Sequence, residues 1–255
     1  MNGKRLDRLI SYLLNERPEL PHIDIPDDIS DKFTLYRSLV NVRPAAAIDS
    51  EYLSEEDELL KEILNEKGIT DAESLSPVEE GIYLWKGDIT TLRCDAVVNA
   101  ANSGMTGCYR PCHNCIDNCI HTFAGVRLRY KCDEIIKKQG FELATSQARV
   151  TPAYDLPCRY VIHTVGPIVR GHLTNEDCEA LRDCYLNCLD AASEYDIGSI
   201  AFCCISTGVF GFPQKEAAQI AVETVRKYKR NSDIKVIFNV FKEEDYELYR
   251  KLLKA

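Results

Sequence analysis

The chain has 255 residues, 45% of them hydrophobic and 28% charged, which is the balance of a globular protein with room for one sizeable core or a domain and an appendage. No apolar run reaches the length of a membrane span, and charges interrupt the N-terminal stretch where a secretory signal needs an uncharged core. The net charge of -9 disfavours a general binder of nucleic-acid backbones, while a small anion held by a few aimed backbone amides stays allowed.

Residues 1 to about 78 read as helices punctuated by proline and acidic residues. Leu6, Leu9, Ile10, Leu13 and Leu14 keep helical spacing until Pro18 stops the run. A second helix holds Phe33, Tyr36, Leu39 and Val40 and ends before Pro44. Ser54-Glu-Glu-Asp57 has the form of a capping box ahead of Leu59, Leu60, Ile63 and Leu64, and Gly68 suits the exit. LSPVEEG at 75–81 reads as a boundary, giving a helical N-terminal region over 1–78 and a second domain over 79–255. The first part shows no polar catalytic cluster.

From residue 82 the pattern changes. IYLWKGDIT predicts a strand ending in a turn, and DAVVNAAN carries the short apolar run of a strand buried on both faces. Residues 116–140 predict one long amphipathic helix that stops at Gly140. Then follow RYVIHTVGPIV (strand), a helix over 175–196, SIAFCCIST (strand), a helix over 215–230, IKVIFNVF (strand) and a helix over 243–254. Strands alternating with helices imply an α/β fold with its sheet covered on both faces. Ligands in such folds gather at the carboxyl ends of the strands.

Those strand ends carry the informative residues. In ISTGVFGFP (205–213), Gly208 and Gly211 let the backbone come close to a ligand, and amides at a strand-to-helix junction can hold phosphate oxygens. Phe210 and Phe212 offer aromatic faces for a sugar or base, unless either is buried. NAAN places Asn99 and Asn102 at a strand end, where carboxamides can meet ribose hydroxyls or fold the turn itself. Asp88 can accept from an exocyclic amine or cap a turn.

The chain has twelve cysteines and no export signal, which points to a reducing, cytoplasmic setting where sulfur serves burial or metal binding. Cys184, Cys188, Cys203 and Cys204 sit in apolar patterns and are expected in the core, as is Cys119. GCYRPCHNC at 107–115 is different. Its thiols and imidazole suit zinc, and a loop bent at Pro111 can fold around one ion; an iron–sulfur cluster on four cysteines is the lesser alternative. His121 and His163 are expected to be hydrogen-bonded packing residues.

WKGDIT, DAVVNAANSG, IDNCIHTFAG, YVIHTVGP and CISTGVFGFP, in this order over roughly residues 80–255, resemble the macrodomain, a module that binds ADP-ribose. The helical leader and the GCYRPCHNC insert, which stands where many macrodomains carry glycines, resemble the zinc-containing subgroup of protein-ADP-ribose hydrolases. The resemblance implies a three-layer α/β/α fold with a central mixed sheet, preceded by the small helical region. It places Asp88 and Ile89 at the adenine, with Phe241 stacking on it unless that ring is in the core. It places Asn102 and Asn99 at the distal ribose, and Ser206, Thr207, Gly208 and Val209 around the diphosphate. Phe210 would pack on the distal ribose, and Cys115, Ile116 and Asp117 would border the ligand. Cys108, His113 and Cys115 become the expected ligands of one zinc ion, with Cys112 a rival or fourth ligand that would close the shell.

Asp117, directly after the cysteine loop at the start of a helix, has two readings. It is either a dipole-stabilised helix-start carboxylate or, from its place between the metal loop and the distal ribose, the catalytic group together with Asn102. The resemblance implies mono-ADP-ribose ester-linked to Asp or Glu of a protein as the substrate. A lipoyl-carrier protein modified by a sirtuin-type ADP-ribosyltransferase is the implied target. Zinc would orient the distal ribose or lower the pKa of a water. The alternatives are a non-catalytic reader of ADP-ribose and a hydrolase of small ADP-ribose derivatives.

Overall fold

Three helices lead the chain, each started by an acceptor side chain on its first free amides. In the computed structural model, which describes residues 1–19 and 21–254, α1 (Gly3–Asn15) is capped by Asn2 and buries Leu6, Leu9, Ile10 and Leu13. Asp28 caps α2 (Ile29–Val42), and Asp49 caps α3 (Ser50–Lys67) by accepting from the Tyr52 amide at 2.8 Å. The capping box expected at Ser54 therefore lies inside α3: the earlier Asp49 cap wins and brings Tyr52 into the core at 3% exposure. Gly68, at φ +81°, ends the helix as expected. The apolar faces of the three helices form a cluster of their own, joined by Val126.

The rest alternates strand and helix: β1 (Thr70–Asp71), β2 (Ile82–Lys86), β3 (Leu92–Arg93), β4 (Ala96–Ala100), α4 (Ile116–Phe123), α5 (Val126–Gln139), β5 (Ala148–Pro152), β6 (Tyr160–Thr164), α6 (Asn175–Glu194), β7 (Ser199–Phe202), α7 (Gln214–Lys229), β8 (Lys235–Val240) and α8 (Glu243–Leu253). Six strands form one mixed sheet in the order β2-β8-β7-β4-β6-β5, flanked by helices. Every pairing is parallel except β5 with β6. This is the expected α/β class with helices ahead of it. Val97, Val98, Val161, Ile162, Ile200, Val236 and Ile237 fill the centre with at most 1% exposure. Among the described residues no helix is long and apolar enough to cross a membrane.

Beyond β1 and β3, which pair as a separate two-stranded parallel sheet that the sequence does not announce, two elements depart from the sequence reading. Strand β5 was not anticipated; it runs antiparallel at the sheet edge, where Pro152 costs no interior ladder bond. The single helix expected over 116–140 is broken at Gly125, whose φ is +80°. Into the break comes Glu56 of α3, fully buried, accepting from the Val126 amide at 2.9 Å and from the hydroxyls of Tyr36 (2.7 Å) and Tyr52 (3.2 Å). A side chain at residue 125 would put its Cβ 2.9 Å from Glu56 Oε2 and from Asp155 Oδ2. The break matters to the site because it lets α4 stand as a separate short helix under the carboxyl end of β4.

Candidate active site

The carboxyl ends of β2, β4, β6, β7 and β8 face the same way in the parallel part of the sheet, so the turns that follow them share one rim. At the β4 end, register pairs Asn99 with His163. Asn99 is fully buried, and its Nδ2 donates to Asp117 Oδ1 at 2.8 Å and to His163 Nδ1 at 3.2 Å. His163 Nε2 lies 3.0 Å from Thr151 Oγ1, so a chain of hydrogen bonds runs from β5 through His163 and Asn99 to Asp117. Asn102 donates to the Gly107 carbonyl at 2.9 Å, folding its own loop, and sits 3.4 Å from Asp117 Oδ2.

Asp117 thus receives both asparagines of NAAN. It stands in the first turn of α4, where the helix dipole favours a carboxylate, yet is only 6% exposed. Burial pushes its carboxyl up to about 6, against the hydrogen bond from Asn99 and the charge of Arg129. A carboxylate held that close to neutral pH can take or return a proton.

Next to Asp117, the ligand atoms of Cys108, His113 and Cys115 all lie within 4.8 Å of one another. Cys108 Sγ and His113 Nδ1 are 3.7 Å apart, near the roughly 3.6 Å that two ligands of one tetrahedral zinc ion would show. Two thiols and an imidazole are also the right donors, so these residues fit the ion. Cys112 is not in this set: at φ +51°, its thiol donates to the Thr34 carbonyl at 3.4 Å. Cys115 caps α4, taking the Asn118 amide on its sulfur at 3.4 Å. Burial pushes its thiol up to about 12, a cost that a bound cation would reverse. His121, Cys132 and His163 form a second, fully buried set within 4.8 Å, but both nitrogens of His163 already face Asn99 and Thr151.

The loop after β7 has the makings of an anion cradle. Ser206 takes a left-handed φ of +64° at 4% exposure. Among the described residues, the amides of Ser206, Gly208, Val209 and Phe210 donate to no protein acceptor, while Thr207 Oγ1 and the Phe212 amide close the loop on Cys204 and Ser206 carbonyls. A Cβ on Gly208 would meet only open space, whereas one on Gly166, at the β6 end, would lie 2.0 Å from Ser206 Oγ and 2.9 Å from Ile205 Cγ2. Val209 is exposed, Phe210 half-buried, and Phe241 is 77% exposed just past β8, so the core role weighed for Phe241 is not taken.

At the β2 end, Asp88 caps a short turn. Its Oδ1 accepts from the Thr90 amide (3.0 Å) and hydroxyl (2.6 Å), and its Oδ2 from Lys67 of α3 at 2.8 Å. Burial pushes this carboxyl up, but Lys67 and Thr90 outweigh it and hold it below the usual carboxylate range. The Ile89 side chain is in the core at 2% exposure, so only its main chain can meet a ligand.

Phe212 is a core residue at 2% exposure, so the buried alternative left open for it is the one taken. Three expectations need correction. His121 is buried at 5% exposure, yet its ring nitrogens make no hydrogen bond among the described residues, so the hydrogen-bonded role expected of it is not taken. Cys119, expected in the core, is half-buried with its sulfur 3.7 Å from Arg37 Nη2, while Cys204 packs against the core as a partly buried residue. The helical region, which showed no polar cluster, sends Lys67 to Asp88 and Arg37 and Asn41 to the cysteine loop. Partners that far apart in the chain leave no local signal.

Residues 98–221 match the family model "Macro domain". A "Protein-ADP-ribose hydrolase" of Treponema medium is 54% identical over 251 residues, covering 96% of each chain. The chain belongs to the macrodomain family. A second "Protein-ADP-ribose hydrolase", from Staphylococcus aureus (strain MSSA476), is 46% identical over 254 residues, 98% of this chain and 95% of that one. Among solved structures, the Oceanobacillus iheyensis macrodomain with ADP is 35% identical with a TM-score of 0.64, over 71% of this chain and 94% of that one. The Trypanosoma brucei macrodomain in complex with ADP-ribose is 30% identical with a TM-score of 0.65, over 85% and 94%. Macrodomain membership is what the strand-end motifs implied.

Proposed function

We propose that this macrodomain is a protein-ADP-ribose hydrolase that removes mono-ADP-ribose from a modified protein. The observation that carries the reading is Asp117, buried and hydrogen-bonded by Asn99 and Asn102, beside Cys108, His113 and Cys115, whose donor atoms could hold a metal ion. The full-length relatives named protein-ADP-ribose hydrolase support it.

In this reading the adenine amine donates to Asp88, with Phe241 stacking on the base and the Ile89 main chain bordering it. The free amides of Ser206, Gly208 and Val209 hold the diphosphate, Thr207 folds the loop around it through the Cys204 carbonyl, and Phe210 packs on the distal ribose. Asn102 meets the ribose hydroxyls, Cys115 and Ile116 form the near wall, and Asn99 acts through Asp117. Cys108, His113 and Cys115 would hold one zinc ion, which when bound would supply a Lewis acid or an acidified water. Asp117 positions the attacking water and accepts its proton. The hydroxyl joins ribose C1″ as the C1″–O bond to the acceptor breaks, and the acceptor side chain leaves as a free carboxylate. Binding energy collected on the adenosine half holds the bond in register.

The substrate we favour is an ester on Asp or Glu of a lipoyl-carrier protein, the product of a sirtuin-type ADP-ribosyltransferase in the cytoplasm. The test is to incubate the protein with mono-ADP-ribosylated carrier, with and without a chelator, and to measure released ADP-ribose. Release that the chelator abolishes is expected. Tight binding without release would make the protein a reader, and release from small esters alone would make it a metabolite hydrolase.

A further inference from the structure

We propose that α2 of the helical region is a clamp on the metal loop, with Arg37 and Asn41 as positioning residues that hold Cys108, His113 and Cys115 in ligand-ready geometry and keep Cys112 out. The inference rests on the metal reading given above, and it assigns a role to a helix that none of the strand-end motifs includes.

The loop cannot hold this shape alone. It folds back within eight residues and places Cys112, a non-glycine residue, at φ +51°, a left-handed conformation that persists only where the surroundings enforce it. Part of the enforcement comes from α4. Asn118, fully buried, donates from Nδ2 to the carbonyls of Cys108 (3.2 Å) and Arg110 (3.0 Å), and its amide meets Cys115 Sγ. The rest comes from α2. Arg37 Nη2 donates to the His113 carbonyl at 2.8 Å and to Asn118 Oδ1 at 3.0 Å. Asn41, 1% exposed, accepts from the Cys112 amide at 2.9 Å and donates to Thr122 Oγ1 of α4 at 3.0 Å.

Arg37 therefore grips His113 directly, and grips Cys108 and Cys115 through the one asparagine that touches both. Asn41 and the Thr34 carbonyl fix the amide and the thiol of Cys112, the residue whose entry would complete a closed four-ligand shell. Outer hydrogen bonds of this kind orient metal ligands, and their loss costs about 10- to 100-fold in metal affinity. The anion loop and Asp88 lie on other strand ends, so a clamp predicts that metal affinity and ADP-ribose affinity separate.

The experiment measures zinc affinity by chelator competition and ADP-ribose affinity by calorimetry, on the full chain and on Arg37→Ala, with Arg37→Lys as the conservative variant. The clamp predicts zinc affinity about 10- to 100-fold weaker in Arg37→Ala, partly restored in Arg37→Lys, with ADP-ribose binding within about threefold of the parent. Zinc affinity equal to the parent in Arg37→Ala overturns the clamp and leaves the metal reading standing. A parent chain that binds no zinc overturns both. Should Arg37→Ala fail to fold, Asn41→Ser gives the second measurement. It is expected to weaken zinc in the same way, and parent-like zinc affinity in a folded Asn41→Ser chain overturns the clamp.

Discussion

Glu56 offers a quantitative check on how the helical region docks against the site-bearing domain. Its carboxyl is fully buried, and burial raises it from an ordinary 4.5 to about 7, even though the Val126 amide and the Tyr36 hydroxyl pull it down. A carboxyl raised in the folded state binds its proton more tightly there than in the unfolded chain. Its contribution to stability is therefore whole below pH 4.5 and is lost as pH climbs through about 7. At 1.36 kcal/mol per pH unit, that rise from 4.5 to about 7 amounts to about 3 kcal/mol of stability surrendered between pH 4.5 and 8. Glu56→Gln removes the titration. Its amide is close in shape to the neutral acid and can donate to a tyrosine hydroxyl while accepting from the Val126 amide, so whatever the substitution costs does not depend on pH. Urea unfolding of both proteins from pH 5 to pH 8 separates the two effects. The variant is expected to gain about 2–3 kcal/mol relative to the parent between pH 5 and pH 8. Stability curves that run parallel in pH would show that Glu56 is not buried as a neutral acid against α5.

Asp117→Ala should lower hydrolysis about 10²- to 10⁴-fold, the usual worth of a proton-handling group, while calorimetry finds ADP-ribose binding little changed; full activity would remove Asp117 from the reaction. Gly166→Ala drives a methyl group against Ser206 and Ile205, so ADP-ribose binding should weaken by about tenfold, a loss of about 1.4 kcal/mol, with metal content unchanged. Binding equal to the parent would show that the diphosphate does not depend on the position of the 205–210 loop.

How far the sequence spoke for itself depended on the range of the interaction. The apolar runs of β4, β6, β7 and β8 and the turns after them were legible, because burial on both faces leaves an uninterrupted hydrophobic signal. Strand β5 was not, since ARVTP is an edge strand with half-exposed residues and no alternation. The break at Gly125 is filled by Glu56, which bonds Val126 across 70 residues of chain, and the residue pattern of 116–140 is helical on both sides of it. Asp117 could be singled out from its place after the cysteine loop. Its support by His163 through Asn99 could not, because sheet register joins residues 64 apart. The ring of Phe212 and the ring of Phe210 looked alike in a loop without periodicity, and only packing told them apart. Lys67 on Asp88 and Arg37 on His113 were hidden for the same reason as Glu56.

The most direct measurement is a crystal structure of the ADP-ribose complex with anomalous diffraction collected on both sides of the zinc absorption edge. The account predicts a single strong peak among Cys108, His113 and Cys115, with Cys112 still on Thr34 and the open side of the ion turned to the distal ribose near Asp117. A peak ringed by four protein ligands, or one that lies away from the sugar, would contradict it.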